Sequence, residues 1–231
     1  MQLDFTEFQK RAGVSFKDEN LLTQAFVHRS YINENKNSGY SHNERLEFLG
    51  DAVLELVITD FLYQKYPTKA EGDLTAYRSA LVNAVTCSDI ATTLGMNDYL
   101  LLSKGESKDT GRARQYILAN TLEAFIGALY LDQGYEITKA FIEREFTPLI
   151  DGIISAGSFI DAKSLFQEKA QEFDSATPSY KTLRESGPDH EKKFTVGVFV
   201  GKELVAEGVG DSKQDAEQAA AREALKARGW N

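Results

Sequence analysis

An all-helical module followed by a smaller α-β-β-β-α module, an α+β architecture in two domains, is the fold that this sequence predicts. Three observations carry the prediction. Apolar residues recur at helical spacing through most of the first 150 positions. The run IDGIISAGS at 150–158 is small and glycine-containing, and the pattern changes character after it. Beyond it, three short alternating segments lie between two helical ones. A chain of 231 residues also exceeds the commonest single-domain size. The boundaries are 1–150 for the helical domain, 151–159 for a linker and 160–231 for the second domain.

Local signals place the elements. Ser41-His42-Asn43-Glu44 has the form of a capping box ahead of Leu46, Leu49, Val53, Leu56 and Val57, and Tyr66-Pro67 closes that helix. Later helices are expected to open near Glu71, Thr86, Arg114 and Thr138. Leu102 to Arg114, with Gly105, Gly111 and the basic residues Lys104, Lys108, Arg112 and Arg114, reads as a mobile loop. In the second domain Asp161 to Phe173 is an amphipathic helix. Tyr180 to Glu185, Lys192 to Val200 and Leu204 to Gly208 alternate as strands, and Ser212 to Arg228 is an alanine-rich helix that Ser212 and Asp215 cap.

Composition bounds the function. With 42% hydrophobic residues and only 4 prolines the chain can pack cores, which excludes a disordered polypeptide. No stretch reads as a membrane span or an export signal. The single cysteine, Cys87, has no intrachain partner, and there are no CxxC pairs or histidine clusters to hold zinc, so a reducing cytoplasm is expected. A net charge of -9 argues against a binder of nucleic acid by bulk charge alone. Residues 1–154 carry 15 basic and 22 acidic side chains against 11 and 13 in the remainder, so the acidic excess sits in the first domain.

Part of that excess is organised. On a helix beginning after Ser41, Glu44, Glu47, Asp51 and Glu55 fall within one narrow arc. Glu47/Asp51 and Asp51/Glu55 are like-charge pairs at i, i+4, each costing roughly 0.2–0.5 kcal/mol, so the stripe is expected to face something other than open water. Gly50 in mid-helix costs about 1 kcal/mol against alanine, which points to close backbone packing. A second helix, Gln115 to Asp132, is apolar almost all round through Ile117, Leu118, Leu122, Phe125, Ile126, Leu129 and Leu131, yet carries Asn120 and Glu123 on one face. A buried carboxylate needs a cation or strong donors. Apposed to Glu47 and Asp51, this face would make three carboxylates and one amide, hard oxygen donors suited to Mg²⁺ or Mn²⁺. A divalent cation held there would neutralise nearby negative charge and acidify a bound water. With only His28, His42 and His190, scattered over both domains, a histidine-pair mechanism is weak; His28 beside Arg29 reads as structural.

The stretch Asn43-Glu-Arg-Leu-Glu-Phe-Leu-Gly-Asp-Ala-Val-Leu54 resembles the signature of bacterial ribonuclease III, and so do QAFVHRSY at 24–31, EGDLTAYRSALVN at 71–83, KGE at 104–106 and TLEAFIGALYLDQG at 121–134. The second module resembles a double-stranded RNA-binding domain, from Asp161-Ala-Lys-Ser-Leu-Phe-Gln-Glu168 through Gly187-Pro-Asp-His190 to Ser212-Lys213 and the run Ala216 to Ala221. The resemblance implies a homodimeric endonuclease without small-molecule cofactor that cuts both strands of an RNA duplex, leaving 5′-phosphate and 3′-hydroxyl ends, in ribosomal RNA processing and messenger RNA turnover. By matching positions, Glu47, Asp51 and Glu123 would bind the catalytic Mg²⁺, Mn²⁺ substituting, with Glu44 nearby. Phe48 falls where the family places a dimer-contact aromatic. Asn120 stands where the family usually has aspartate. Its carbonyl can still ligate the ion, so weaker affinity is expected rather than dead chemistry, with a catalytically weakened RNA-binding protein as the alternative. A helical metallophosphatase acting on small molecules is disfavoured, since it leaves the second module without a purpose.

In that second module the resemblance places Ser164, Gln167 and Glu168 against one minor groove and His190 against the next. Lys213 and Gln214 would span the phosphates between. Domains of this class read duplex shape across two minor grooves. Lys213 at a helix N-terminus opposes the helix dipole unless an anion such as phosphate binds there.

Overall fold

In the computed structural model, which describes residues 3–156, 162–187 and 192–230, the chain divides into two compact units at 159/160. The first is helical from α1 (Thr6–Ala12) to α9 (Ile150–Ala156). Two 22-residue helices, α4 (Glu44–Lys65) and α7 (Arg112–Gln133), form its centre. Around them lie α2 (Glu19–Ala25), α3 (Arg29–Glu34), α5 (Glu71–Leu81), α6 (Ala84–Thr93) and α8 (Tyr135–Phe146). The core is one continuous cluster in which Phe8, Phe26 and Phe125 meet edge to face at 5.1–5.2 Å, the geometry that aromatic quadrupoles favour.

Glycine sets the central contact. A Cβ added at Gly50 would lie 1.7 Å from the Glu123 carbonyl oxygen, and one at Gly127 would lie 2.2 Å from that of Leu46. The two backbones therefore touch, as the cost of Gly50 in mid-helix anticipates, and the side chains flanking Gly50 are brought onto those flanking Gly127.

Several elements depart from the sequence reading. Helix α4 starts at Glu44 with Asn43 at its N-cap, so Ser41 and Glu44 make no capping box; no side-chain cap bond forms. Asn43 is buried and its amide donates instead to the Ala25 carbonyl at 3.0 Å, fixing α4 to the end of α2. Leu56 and Leu131, expected in the core, are exposed. The segment from Leu102 is organised by a 3-10 turn at Glu106–Lys108, and α7 begins at Arg112, before the expected Arg114. The Arg114 guanidinium donates to the carbonyls of Asp109 and Glu106 and to the side chain of Asn97, which ties the segment together. Where the linker was expected to begin, α9 continues the helical unit with Ile150 buried.

The second unit is a three-stranded antiparallel sheet in the order β1 (Ser179–Ser186), β2 (Lys193–Val200), β3 (Glu203–Gly210), with α10 (Ala162–Asp174) and α11 (Lys213–Arg228) packed on it. Phe166, Val198 and the small residues Ala220, Ala221 and Ala224 fill the space between. Glycines again admit a helix backbone: a Cβ at Gly208 would meet the Ala220 nitrogen at 2.1 Å, and one at Gly210 the Ala216 nitrogen at 2.4 Å. Ser212 caps α11, accepting from the Asp215 amide at 3.1 Å.

Candidate active site

The α4/α7 crossing brings the acidic stripe onto the polar face of α7. Glu47 and Asp51 lie one turn apart on α4, on either side of Gly50, and Asn120 and Glu123 one turn apart on α7. Glu123 is pushed up to about 7, first by burial, then by the charges of Asp51 and Glu47. Burial and Glu44 also raise Glu47, with Asp51 adding a smaller push, while the Asn120 amide donating toward it pulls the other way. Asp51 is raised by burial and by Glu55. Among the described residues, the groups acting on these three acids are other carboxylates and one amide, with no cation among them. Cys87 packs behind the group, its thiol driven up to about 12 by burial and then by Glu123 and Asp51.

Among the described residues no three His, Cys, Asp or Glu side chains stand close enough together to hold a metal ion as they are. Three like charges without a counter-ion have no reason to close further. In chemistry the donor set fits a hard divalent cation, since carboxylates and an amide are the oxygen donors that such an ion prefers.

Glu44 is differently placed. Its carboxylate ion-pairs with Arg29 at 3.1 Å and lies 3.6 Å from the His42 ring, so it is tied to the start of α3. Arg29 is a partner that the sequence reading missed; only the fold brings α3 beside the start of α4. His28 caps α3, its ring accepting from the Ser30 amide at 3.3 Å, in keeping with its structural reading. Phe48 is 81% exposed and heads an apolar stripe along α4 with Ala52, Leu56 and Tyr63. An exposed apolar stripe of this kind is a candidate association surface. Cavities of about 530 and 400 Å³ exist in this unit, but Glu47, Asp51, Asn120 and Glu123 line neither.

In the second unit Ser164, Gln167 and Glu168 are exposed on one face of α10 at i, i+3, i+4 spacing, and Lys213 and Gln214 are exposed in the first turn of α11. His190 lies outside the described residues. Among the described residues no helix is long and apolar enough to cross a membrane.

Comparison with known proteins agrees with both halves. The ribonuclease-III-like family model matches residues 18–150 and the double-stranded RNA binding motif matches 162–227. The chain is 47% identical over 224 residues to ribonuclease 3 of Bacillus licheniformis, covering 96% of this chain and 88% of that protein. It is 43% identical over 219 residues to ribonuclease 3 of Bdellovibrio bacteriovorus, covering 94% and 93%. A solved nuclease domain of ribonuclease III from Campylobacter jejuni, in a study of a region involved in dimer formation, matches with a TM-score of 0.56 at 40% identity, covering 62% of this chain and 99% of that one. With the helical unit and the three-stranded module both matched, and relatives above 40% identical over nearly the whole chain, the chain belongs to the ribonuclease III family.

Proposed function

We propose that this chain is a metal-dependent endoribonuclease of the cytoplasm that hydrolyses phosphodiester bonds in double-stranded RNA, leaving 5′-phosphate and 3′-hydroxyl ends, in ribosomal RNA processing and messenger RNA turnover. The observation that carries the reading is the group Glu47, Asp51 and Glu123, three carboxylates held together by glycine-mediated backbone contact with no cation among them. Glu47, Asp51, Asn120 and Glu123 would hold Mg²⁺, with Mn²⁺ as a substitute. When bound, the ion supplies charge neutralisation at the phosphate and a more acidic water.

The chain's own groups prepare that chemistry. Glu123, pushed up to about 7, would have to lose its proton to serve as a ligand, so affinity for the ion would rise with pH through that region. Asn120 contributes a neutral oxygen where a carboxylate would add charge, which weakens affinity for the ion while leaving the site formed. Asp51 is exposed, which suits a wide polymeric substrate better than an enclosed small phosphate ester. The stripe headed by Phe48 would seat a second copy, giving a homodimer with one cutting site per subunit. Phe48→Asp is then expected to convert dimer to monomer in sedimentation velocity, and an unchanged sedimentation coefficient would remove Phe48 from the interface.

The deciding experiment is cleavage of a long end-labelled RNA duplex with Mg²⁺, Mn²⁺ or EDTA, by this chain and by Glu123→Gln. Metal-dependent cutting that falls at least about a hundredfold in the variant is expected. Asn120 supports one second reading, a duplex-binding protein with weakened catalysis. Binding without cutting in either metal, with cutting gained in Asn120→Asp, would establish that reading instead.

A further inference from the structure

Cross-strand register builds a second electrostatic device in the smaller unit. Glu185 on β1 pairs with Phe194 on β2, and Phe194 with Gly210 on β3, so the three form one row across the sheet. Gly210 lets the first turn of α11 lie against the row, which brings Lys213 to it. The Glu185 carboxylate is consequently held from two sides: one oxygen lies 2.9 Å from Lys192 Nζ, ahead of β2, and the other 3.4 Å from Lys213 Nζ. Both ammonium groups also lie over the Phe194 ring, at 5.9 and 5.6 Å from its centroid.

A carboxylate bridged by two ammonium groups from separate elements occupies the position that a phosphate would take, since each presents two oxygens and negative charge. We propose that Lys192 and Lys213 form a two-lysine cradle for one RNA phosphate, and that Glu185 is an internal anion occupying it until RNA displaces the carboxylate. The inference rests on duplex RNA being the ligand, as proposed above, and goes beyond it by assigning Lys192 as a second phosphate-binding cation and Glu185 as a brake on affinity. All three side chains are solvent-accessible, and exposed ion pairs hold weakly enough for a polyanion to compete. The two lysines keep Glu185 below the ordinary carboxylate range, so the brake stays charged throughout neutral pH. The arrangement also relieves the unfavourable position of Lys213 at a helix N-terminus, because an anion sits beside it in both states.

The test is binding of the full chain to a fluorescent RNA duplex of about 20 base pairs, enough to span one module's footprint of roughly 16, in EDTA over a salt series. Glu185→Gln is expected to tighten binding about threefold to tenfold at low salt, the gain shrinking as salt screens it. Lys192→Gln is expected to weaken binding and to reduce the slope of log affinity against log salt by about one. In the double variant the Glu185 effect should shrink, because one of its two partners is gone. Unchanged or weaker binding in Glu185→Gln, with an unaltered melting profile, would overturn the proposal. So would an unaltered salt slope in Lys192→Gln, a surface change with no core contact to lose. No duplex binding by the parent chain at any salt would overturn the functional reading and this inference with it.

Discussion

Helix α4 on α7 and helix α11 on β3 are the same kind of contact with opposite electrostatics at the rim. In each, glycines let backbone meet backbone: Gly50 and Gly127 in the first, Gly208 and Gly210 in the second. At the first rim Glu47, Asp51 and Glu123 face one another without a cation and are all raised. At the second, Glu185 is paired with Lys192 and Lys213 and lowered. Uncompensated like charge held in place by a rigid contact calls for a cation from outside. Compensated charge at an accessible edge calls for an outside anion to compete with the inside one. One contact type thus frames both the proposed metal centre and the proposed phosphate cradle, and the difference lies in which side chains flank the glycines.

The strongest way to break the comparison is to fill the first contact. Gly50→Ala puts a methyl group into the Glu123 carbonyl, and neither helix can retreat without opening the core. A loss of about 3 kcal/mol or more is expected in denaturant unfolding of the first unit, at the top of the overpacking range. A loss below 1 kcal/mol would mean that the helices are not in backbone contact.

Glu123→Gln sharpens the electrostatic half. Glu123 is raised from an ordinary 4.5 to about 7, so the metal-free folded chain binds a proton that the unfolded chain has released. Stability from this group is therefore present below pH 4.5 and is lost as pH rises toward 7. In EDTA, Glu123→Gln should melt higher than the parent at pH 8, and the difference should vanish near pH 4.5. A difference independent of pH would mean that charge is not its cause. Smaller still is Ser212→Ala, which removes the cap of α11 and should cost about 1 kcal/mol in the second unit alone. Equal destabilisation of both units would contradict their division at 159/160.

The acidic stripe was legible because residues on one helix have a fixed angular relation, and Gly50 was legible as a close approach because nothing else justifies glycine in mid-helix. Phe48 and Leu56 were harder. A long central helix is apolar on more than one face, and periodicity alone does not say which face the fold covers. The capping box at Ser41 was misread for a related reason. Local pattern alone assigns Ser41 the cap, whereas α4 starts after Asn43, whose side chain is drawn to Ala25, 18 residues away. Glu185 and Lys192 carried no signal as a pair, because strand register, not sequence spacing, makes them neighbours.

The sequence by itself determined what depends on local geometry and residue chemistry: two modules, their element order, the oxygen donors along α4 and α7, and the lineage that those residues mark. Tertiary structure alone decided which backbone Gly50 touches, that the half-buried Glu123 feels the charges of Asp51 and Glu47, that Glu44 belongs to Arg29, and that Lys213 shares an anion with Lys192. Each of these joins residues far apart in the chain, and their interaction free energies exist only after packing has brought the groups together.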